Sequence, residues 1–407
     1  MTANPSRPIP KANTGSALQN AFANFAIRLV QIERRIDPLF RPAFEATLRD
    51  PLAKLVTRLI NRQRVNEGLG IAEERLLPDE EAYFDSIISS FEKQISGLWR
   101  KGSYERGGNT KTHAVVRGEL TVHEGLSENL RHGVFAQPKT YKAWVRFSGP
   151  GPYITPDIDD VGFMSISVKL VGVPGPKLMD DEKFTQDLLG VSVPVFVSPD
   201  ATANAQLQVE SLKNAQVFYF LNFHRPHVLD FIMQGLFLKT QTSLLEIPYF
   251  SQVPYLLGEG QAMQYSFWPA HAAHSKVPSL PFRPPDDYLR QKLAVDLSQG
   301  DATFDVRVQL QTDPFLMPLE NSAVLWPDSS PRQSVATLRL MQQSFASEAQ
   351  LDFARRLSYN PWHCVPEHRP LGNINRARRR VYDTLSRFRH GANGVPMYEP
   401  TGDEVFE

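Results

Sequence analysis

The sequence predicts an α+β fold, an antiparallel β-barrel with helices around it and an N-terminal helical extension. Three observations point there. The first hundred residues repeat their apolar side chains at helical spacing. From about Lys111 the pattern changes to alternation, broken by long Gly-, Pro- and Asp-rich connections, and near Glu348 it returns to helix. The boundaries predicted are 1–105 for the extension, 106–345 for the barrel with a helical insertion, and 346–407 for the C-terminal helices.

In the extension, Phe22, Phe25, Ala26, Leu29, Val30 and Ile36 recur at helical spacing, with Arg28, Glu33, Arg34 and Arg35 interleaved. Leu52, Leu55, Val56, Leu59 and Ile60 repeat the pattern behind Pro51, a residue suited to a first helical turn. A third helix opens at Pro78-Asp79, carries Phe84, Ile87, Ile88, Phe91, Ile95 and Leu98 on one face, and is closed by Gly102 and Gly107-Gly108. These helices read as an arm packed on the main domain or on a second subunit. The alternative is an amphipathic surface making peripheral contact with a membrane or an apolar substrate.

The strands follow. His113 to Val116 with Gly118 to Val122, Ala143 to Phe147, and Phe163 to Leu170 alternate. In the last, Ser165, Ser167 and Lys169 fall on one side and Ile166, Val168 and Leu170 on the other. Val193 to Val197 is expected as a fourth strand, with Phe304 to Gln311 and Ser334 to Leu340 later. Helices are expected around Leu207 to Lys213 and His227 to Lys239, then over Glu348 to Ser358 and Asn375 to Arg389. The loops Asp157 to Asp160 and Asp180 to Glu182 are expected to be solvated.

Composition narrows the function. Lys plus Arg and Asp plus Glu both number 44, so no long-range field favours nucleic acid. The single cysteine, Cys364, rules out an internal disulfide and any CxxC motif. No run of about 18 apolar residues could span a bilayer, and Met1 to Asn20 has no apolar signal-peptide centre. The cytoplasm is the expected compartment. His224 and His227, and the group His363, Cys364 and His368, do not supply four regularly spaced zinc ligands. Gly258-Glu259-Gly260 lacks the rest of a phosphate loop, and the basic run Arg376 to Arg380 reads as ion pairs or a subunit contact.

One pair of residues suggests more. Arg355 and Tyr359 are four apart in Leu351 to Tyr359, before the helix-stopping Asn360-Pro361. A guanidinium beside a phenol favours the phenolate, a hard donor suited to ferric iron.

This stretch resembles the proximal segment of haem catalases, in which tyrosine is the iron ligand. Thr112-His113-Ala114 resembles the distal histidine motif of that family. Trp144-Val145-Arg146-Phe147-Ser148 resembles the strand whose Arg meets a haem propionate and whose Ser hydrogen-bonds the distal His. Val161-Gly162-Phe163 with Val168-Lys169-Leu170, Asp187-Leu188-Leu189-Gly190 with Pro194-Val195-Phe196, Met317 to Asn321, and Leu325-Trp326-Pro327 follow in family order. The resemblance, over about Lys111 to Gly372, is to the divergent short catalase-related branch. It implies a catalase-like antiparallel β-barrel binding haem b through iron at Tyr359, with Arg146 and Arg355 as cofactor-binding residues. It also implies His113, Ser148 and Ser192 as catalytic residues and a homo-oligomer.

Departures from the family pattern bear on activity. Ser192, after Val191, stands where the family has its distal Asn, and a hydroxyl offers fewer donors than an amide. Thr110-Lys111 occupies the place of a propionate-binding Arg. Asn360-Pro361-Trp362-His363 replaces an arginine-rich run, and Glu367 to Gly372 follows only after extra residues. The family's N-terminal arm and flavodoxin-like domain are not expected. The function the resemblance implies is haem-dependent oxidation with hydrogen peroxide or an organic hydroperoxide, neutral His113 moving the proton. The alternatives are a fatty-acid hydroperoxide isomerase or lyase, and a haem-binding or sensing protein without catalysis.

Overall fold

The computed structural model describes residues 11–270, 275–280 and 282–406; the polar start of the chain up to residue 10 lies outside them. Among the described residues nine strands form one antiparallel sheet: β1 (Thr112–Val122), β2 (Thr140–Ser148), β3 (Ser165–Val171), β4 (Thr185–Val191), β5 (Tyr249–Phe250), β6 (Tyr255–Leu256), β7 (Ala262–Pro269), β8 (Ala302–Leu310) and β9 (Arg332–Leu340). Their order is β5-β4-β3-β2-β1-β9-β8-β7-β6, and pairing of β5 with β7 closes eight of them into a barrel. Closure removes the open edges that a free sheet would present. The barrel is filled by alternate side chains: Ile166, Val168 and Leu170 of β3, Val145 and Phe147 of β2, and Phe304, Val306 and Val308 of β8 all join the buried core.

The helices are α1 (Ala17–Thr47), α2 (Arg49–Gln63), α3 (Glu80–Leu98), α4 (Ala201–Leu212), α5 (Val217–Phe220), α6 (Val228–Phe237), α7 (Tyr288–Gln299), α8 (Glu348–Arg356) and α9 (Asn373–Asn393). None of the described helices is long and apolar enough to cross a membrane. α3, α4 and α9 pack together through Phe84, Ile87, Ile88, Ala201, Ala205, Ala377 and Val381, so α3 buries the face its sequence pattern predicts. The Arg376 to Arg380 run forms ion pairs: Arg376 with Glu74, Glu80 and Glu320, and Arg380 with Glu81 and Asp85.

The first helix packs on the rest of the chain through a face that its apolar pattern does not mark. Its inward face is charged: Arg34, Asp37 and Arg41 are buried, while Phe22, Phe25, Leu29 and Ile36 are exposed. Arg41 bonds the carbonyls of Leu236 and Leu238 at the end of α6, at 3.3 and 2.6 Å, and pairs with Asp37 at 2.6 Å. Asp37 in turn accepts from the Thr240 amide at 2.8 Å. A cation on the orphan carbonyls of a helix C-terminus satisfies them and meets the favourable end of the dipole. Arg34 donates to the Val161 carbonyl at 2.9 Å. Gly162, with φ of 90°, lets it come close, because a Cβ there would lie 2.4 Å from the guanidinium carbon.

Other expectations shift as well. Val193 to Val197 is not a strand; Pro194 removes a donor from it, and the fourth strand is Thr185–Val191. β7 and α7 lie where no element was expected. The helix expected to run to Ser358 ends at Arg356, because Leu357 turns extended at φ −62° and ψ 137°.

Candidate functional site

The β1–β2 register is regular from Ala114 to Thr121 but slips between Thr112 and Ala114, which leaves His113 as the extra residue of a β-bulge. A bulge bends its strand and re-aims a side chain. His113 is buried, and neither ring nitrogen has a hydrogen-bond partner among the described residues. Burial pushes its pKa well below the ordinary histidine value, and the cations Lys111, Arg146 and Arg290 push it further the same way. The imidazole is therefore held neutral. Asp157 lies 4.0 Å from its Nδ1.

The aspartates expected in a solvated loop are instead part of these surroundings. Asp157 and Asp160 are buried. Lys111 donates to Asp157 at 2.5 Å and to the carbonyls of Thr155 and Asp286 at 2.6 and 2.8 Å. Burial raises the Asp160 carboxyl to about 7 despite its bond from the Val161 amide.

Beside the barrel's outer wall lies a cavity of about 290 Å³, lined by Ser165 and Ser167 of β3, Leu189 and Val191 of β4, Val381, Tyr382 and Leu385 of α9, and Phe91 of α3. Tyr359 lines it, and its hydroxyl is buried without a hydrogen-bond partner among the described residues. Arg106, Arg146 and Arg389 line it too. Arg146 donates to Thr112 Oγ1 at 2.8 Å and to the Asn109 carbonyl at 2.5 Å. Arg106 donates to the carbonyls of Ala354 and Leu357 at 2.9 and 2.7 Å, and Arg389 to those of Arg355 and Leu357. The last two thus clasp the end of α8 that leads to Tyr359. Burial lowers the pKa of Arg146 well below its usual value and that of Arg389 to about 9, and Arg106 adds repulsion to both. Such a crowded set of cations in a concave, largely apolar site favours an anionic guest.

Of the residues expected at the site, Arg146 and Tyr359 share the cavity wall. His113 is not on that wall, although the Arg146 charge acts on both His113 and Tyr359. Arg355 departs from expectation. α8 ends before Tyr359, so the two do not share a helix face, and Arg355 is exposed and paired with Asp352 at 2.7 Å. The bond expected between Ser148 and His113 is not formed; the Ser148 hydroxyl is buried and has no partner among the described residues. Ser192 is not on the cavity wall, and its Oγ accepts the Met164 amide at 2.9 Å.

A second cation supplies what Arg355 does not. Lys169, on the same outer face of β3 as Ser165 and Ser167, is fully buried with its ammonium 5.4 Å from the Tyr359 ring centre. It pairs with Glu182 and, at 2.8 Å, with Asp187. His363 completes the cluster, 2.9 Å from Asp187 and 3.1 Å from both Glu182 and Asp181. His363 therefore groups with carboxylates from the β3–β4 region rather than with Cys364 and His368. Glu182, Asp187 and His363 have a metal-like spacing, but the Lys169 ammonium already bridges the two carboxylates. Burial raises the Tyr359 pKa; Arg146, Lys169 and Arg106 oppose that rise.

Sequence reasoning did not single out Arg106, Arg389 or Lys169 as site residues. For Lys169 the signal was present: a lysine in the middle of a strand with apolar neighbours is buried only when paired. Arg106 and Arg389 lie about 280 residues apart, as their numbers show, and no local pattern joins them.

No family model and no curated protein matches the sequence. Solved structures do match in fold. A fungal catalase aligns with a TM-score of 0.58 at 17% identity, over 84% of this chain and 70% of its own. Catalase A from Saccharomyces cerevisiae aligns with a TM-score of 0.56 at 16% identity, over 84% and 72%. A bacterial catalase gives 0.56 and 16%, over 84% and 67%. The fold is catalase-like.

Proposed function

We propose that this chain binds haem b in the cavity beside Tyr359 and acts on hydroperoxides. The observation that supports this best is the Tyr359 hydroxyl. It is a buried, unpartnered donor on the wall of a cavity that also presents Arg106, Arg146 and Arg389. An unsatisfied buried phenol costs on the order of 1–3 kcal/mol, a cost removed when a ligand takes it as partner. The donor set suits the cofactor: a phenol for iron, and arginines for the carboxylates of the propionates.

In this reading Tyr359 is the metal ligand, and the three arginines hold the anionic edge. When bound, the haem would supply the redox chemistry for cleaving an O–O bond. The chain supplies proton traffic and tuning. Neutral His113 takes the proton of the hydroperoxide and returns it to the leaving oxygen, the role its two free ring nitrogens and lowered pKa suit. Arg146 and Lys169 favour ionisation of Tyr359. Arg355, turned out to solvent, takes no part.

Organic hydroperoxides are favoured over hydrogen peroxide as substrates. Ser192 is occupied with the backbone of Met164, and the cavity wall is mostly apolar. The test is oxygen evolution from hydrogen peroxide by haem-loaded protein, run beside consumption of a polyunsaturated fatty-acid hydroperoxide. Slow oxygen release with fast loss of the lipid hydroperoxide is expected. Fast oxygen release would make the protein a catalase, and inertness towards both would leave haem binding without catalysis.

A further inference from the structure

We propose that the outward face of α1 is the seam of a parallel two-helix contact with a second copy of this chain. The inference is independent of the haem reading, since α1 does not contribute to the cavity wall.

The exposed side chains of α1 follow a strict 4-3-4-3 spacing. Leu18, Phe22, Phe25, Leu29, Ile32 and Ile36 are all exposed, and Leu39 and Ala43 continue the series. That alternation is the a/d pattern of a coiled coil, with period 3.5 residues. Phe22 also meets the Phe218 ring of its own chain, with centres 5.9 Å apart, but all six side chains stay exposed. In the same heptad frame Arg34 and Arg41 occupy the f positions, opposite the seam, and both are buried against the barrel side. Asp37, at a neighbouring b position, is buried with them. The helix is therefore anchored by its polar face and offers its apolar one. Pro38 and Pro42 lie inside the helix, so the regular part of the seam runs from Leu18 to Ile36, about 28 Å or nearly three heptads.

Charge selects the occupant and its direction. At the flanking positions Arg28 and Arg35 are at g and Glu33 at e; Glu33 lies 3.6 Å from both Arg34 and Arg41 of its own chain and keeps its side chain 36% exposed towards a partner. In a parallel, in-register pair each g residue meets the e residue five positions later in the partner, so Arg28 faces Glu33 of the second copy twice over, by symmetry. An antiparallel pair would instead set g against g and bring Arg28 towards Arg35. Arg28 is exposed and forms no ion pair among the described residues, so it is available for that contact. Because the f positions rest on the barrel side, the two bodies lie on opposite sides of the helix pair. A lipid surface fits less well. Arg34, Arg35 and Arg41 are all committed within the chain, Arg35 to Asp159 at 2.8 Å, which leaves Arg28 as the one uncommitted arginine of these four to meet anionic headgroups.

The test is sedimentation equilibrium of the full chain beside the double variant Phe25→Glu/Ile32→Glu. Both positions are exposed, so the variant keeps its circular dichroism spectrum. The wild type is expected at twice the chain mass of 46.0 kDa and the variant at once that mass. The single variant Ile32→Cys is expected to cross-link to itself under oxidation, since d meets d in a parallel pair and Cys364, the native cysteine, is buried. Arg28→Glu is expected to weaken the dimer several-fold. A wild-type monomer, or a dimer untouched by the double variant, would overturn the proposal. So would flotation of the wild type as a monomer on phosphatidylserine vesicles. A dimer in which Ile32→Cys fails to cross-link would overturn the parallel arrangement.

Discussion

Lys169 holds its ammonium 5.4 Å from the centre of the Tyr359 ring, on a strand nearly two hundred residues earlier in the chain. The cation that favours the phenolate thus comes from the barrel wall, together with Arg146, and not from the preceding helix turn. Replacing Lys169 by Met leaves Glu182 and Asp187 buried with one of their two counter-charges, since His363 stays beside them. Loss of one partner from such a site costs about 3–5 kcal/mol. Chemical denaturation of Lys169→Met is expected to show a loss of this size, with Lys169→Arg closer to wild type.

Arg355→Ala is expected to change stability by no more than about 0.5 kcal/mol, because an exposed ion pair with Asp352 is all it loses. The haem spectrum and hydroperoxide turnover are expected to be unchanged. A large drop in turnover would place Arg355 back at the site.

The Lys169 cluster makes stability depend on pH on both sides. Burial pushes the Glu182 carboxyl up, but Lys169 and His363 outweigh it and hold it at about 2. Its folded pKa lies below the unfolded value near 4.5, so its contribution is present above that pH and is lost as pH falls towards 2. Burial lowers the His363 pKa, but Asp181, Asp187 and Glu182 outweigh it and hold it well above 6.5. That contribution is full below 6.5 and is lost as pH rises through the folded value. Urea unfolding as a function of pH is expected to show the cluster's largest effect between about 4.5 and 6.5, and His363→Gln is expected to flatten the alkaline side.

His113 behaves in the opposite sense. Its pKa lies well below 6.5, so turnover of a hydroperoxide by the haem-loaded protein is expected to hold steady through pH 6.5 and fall only at lower pH. His113→Gln is expected to reduce turnover by about 10²–10⁴-fold, the usual worth of a positioned acid–base group. An unchanged rate would remove His113 from the chemistry.

Ser192→Ala is expected to cost about 1 kcal/mol through the lost bond from the Met164 amide, and to leave turnover nearly unchanged. A fall in turnover without a fall in stability would show that the hydroxyl reaches the substrate.

Much of the barrel could be read from its residues, because apolar core-facing side chains recur with period 2 along β1, β2, β3, β8 and β9. The ordered motifs also brought Arg146 and Tyr359 to one cavity wall. What could not be read depends on contacts between distant segments. Tyr359 lies beyond the end of α8 because Leu357 leaves the helix, while Arg106 and Arg389 clasp that turn from opposite ends of the sequence. The amphipathic pattern of α1 was visible, but not which face is turned inward. That was decided by Arg34, Asp37 and Arg41 finding carbonyls and an amide on the body of the protein.

The central claim is that Tyr359 is the iron ligand, and it is tested most directly by titrating haem into the wild type and Tyr359→Phe while recording the absorption spectrum. The wild type is expected to bind one haem per chain with a ferric phenolate band that the variant lacks. The variant without haem is expected to be as stable as the wild type or more so, because it removes an unpartnered buried hydroxyl. Identical spectra for the two proteins, or no haem binding by the wild type, would contradict the assignment.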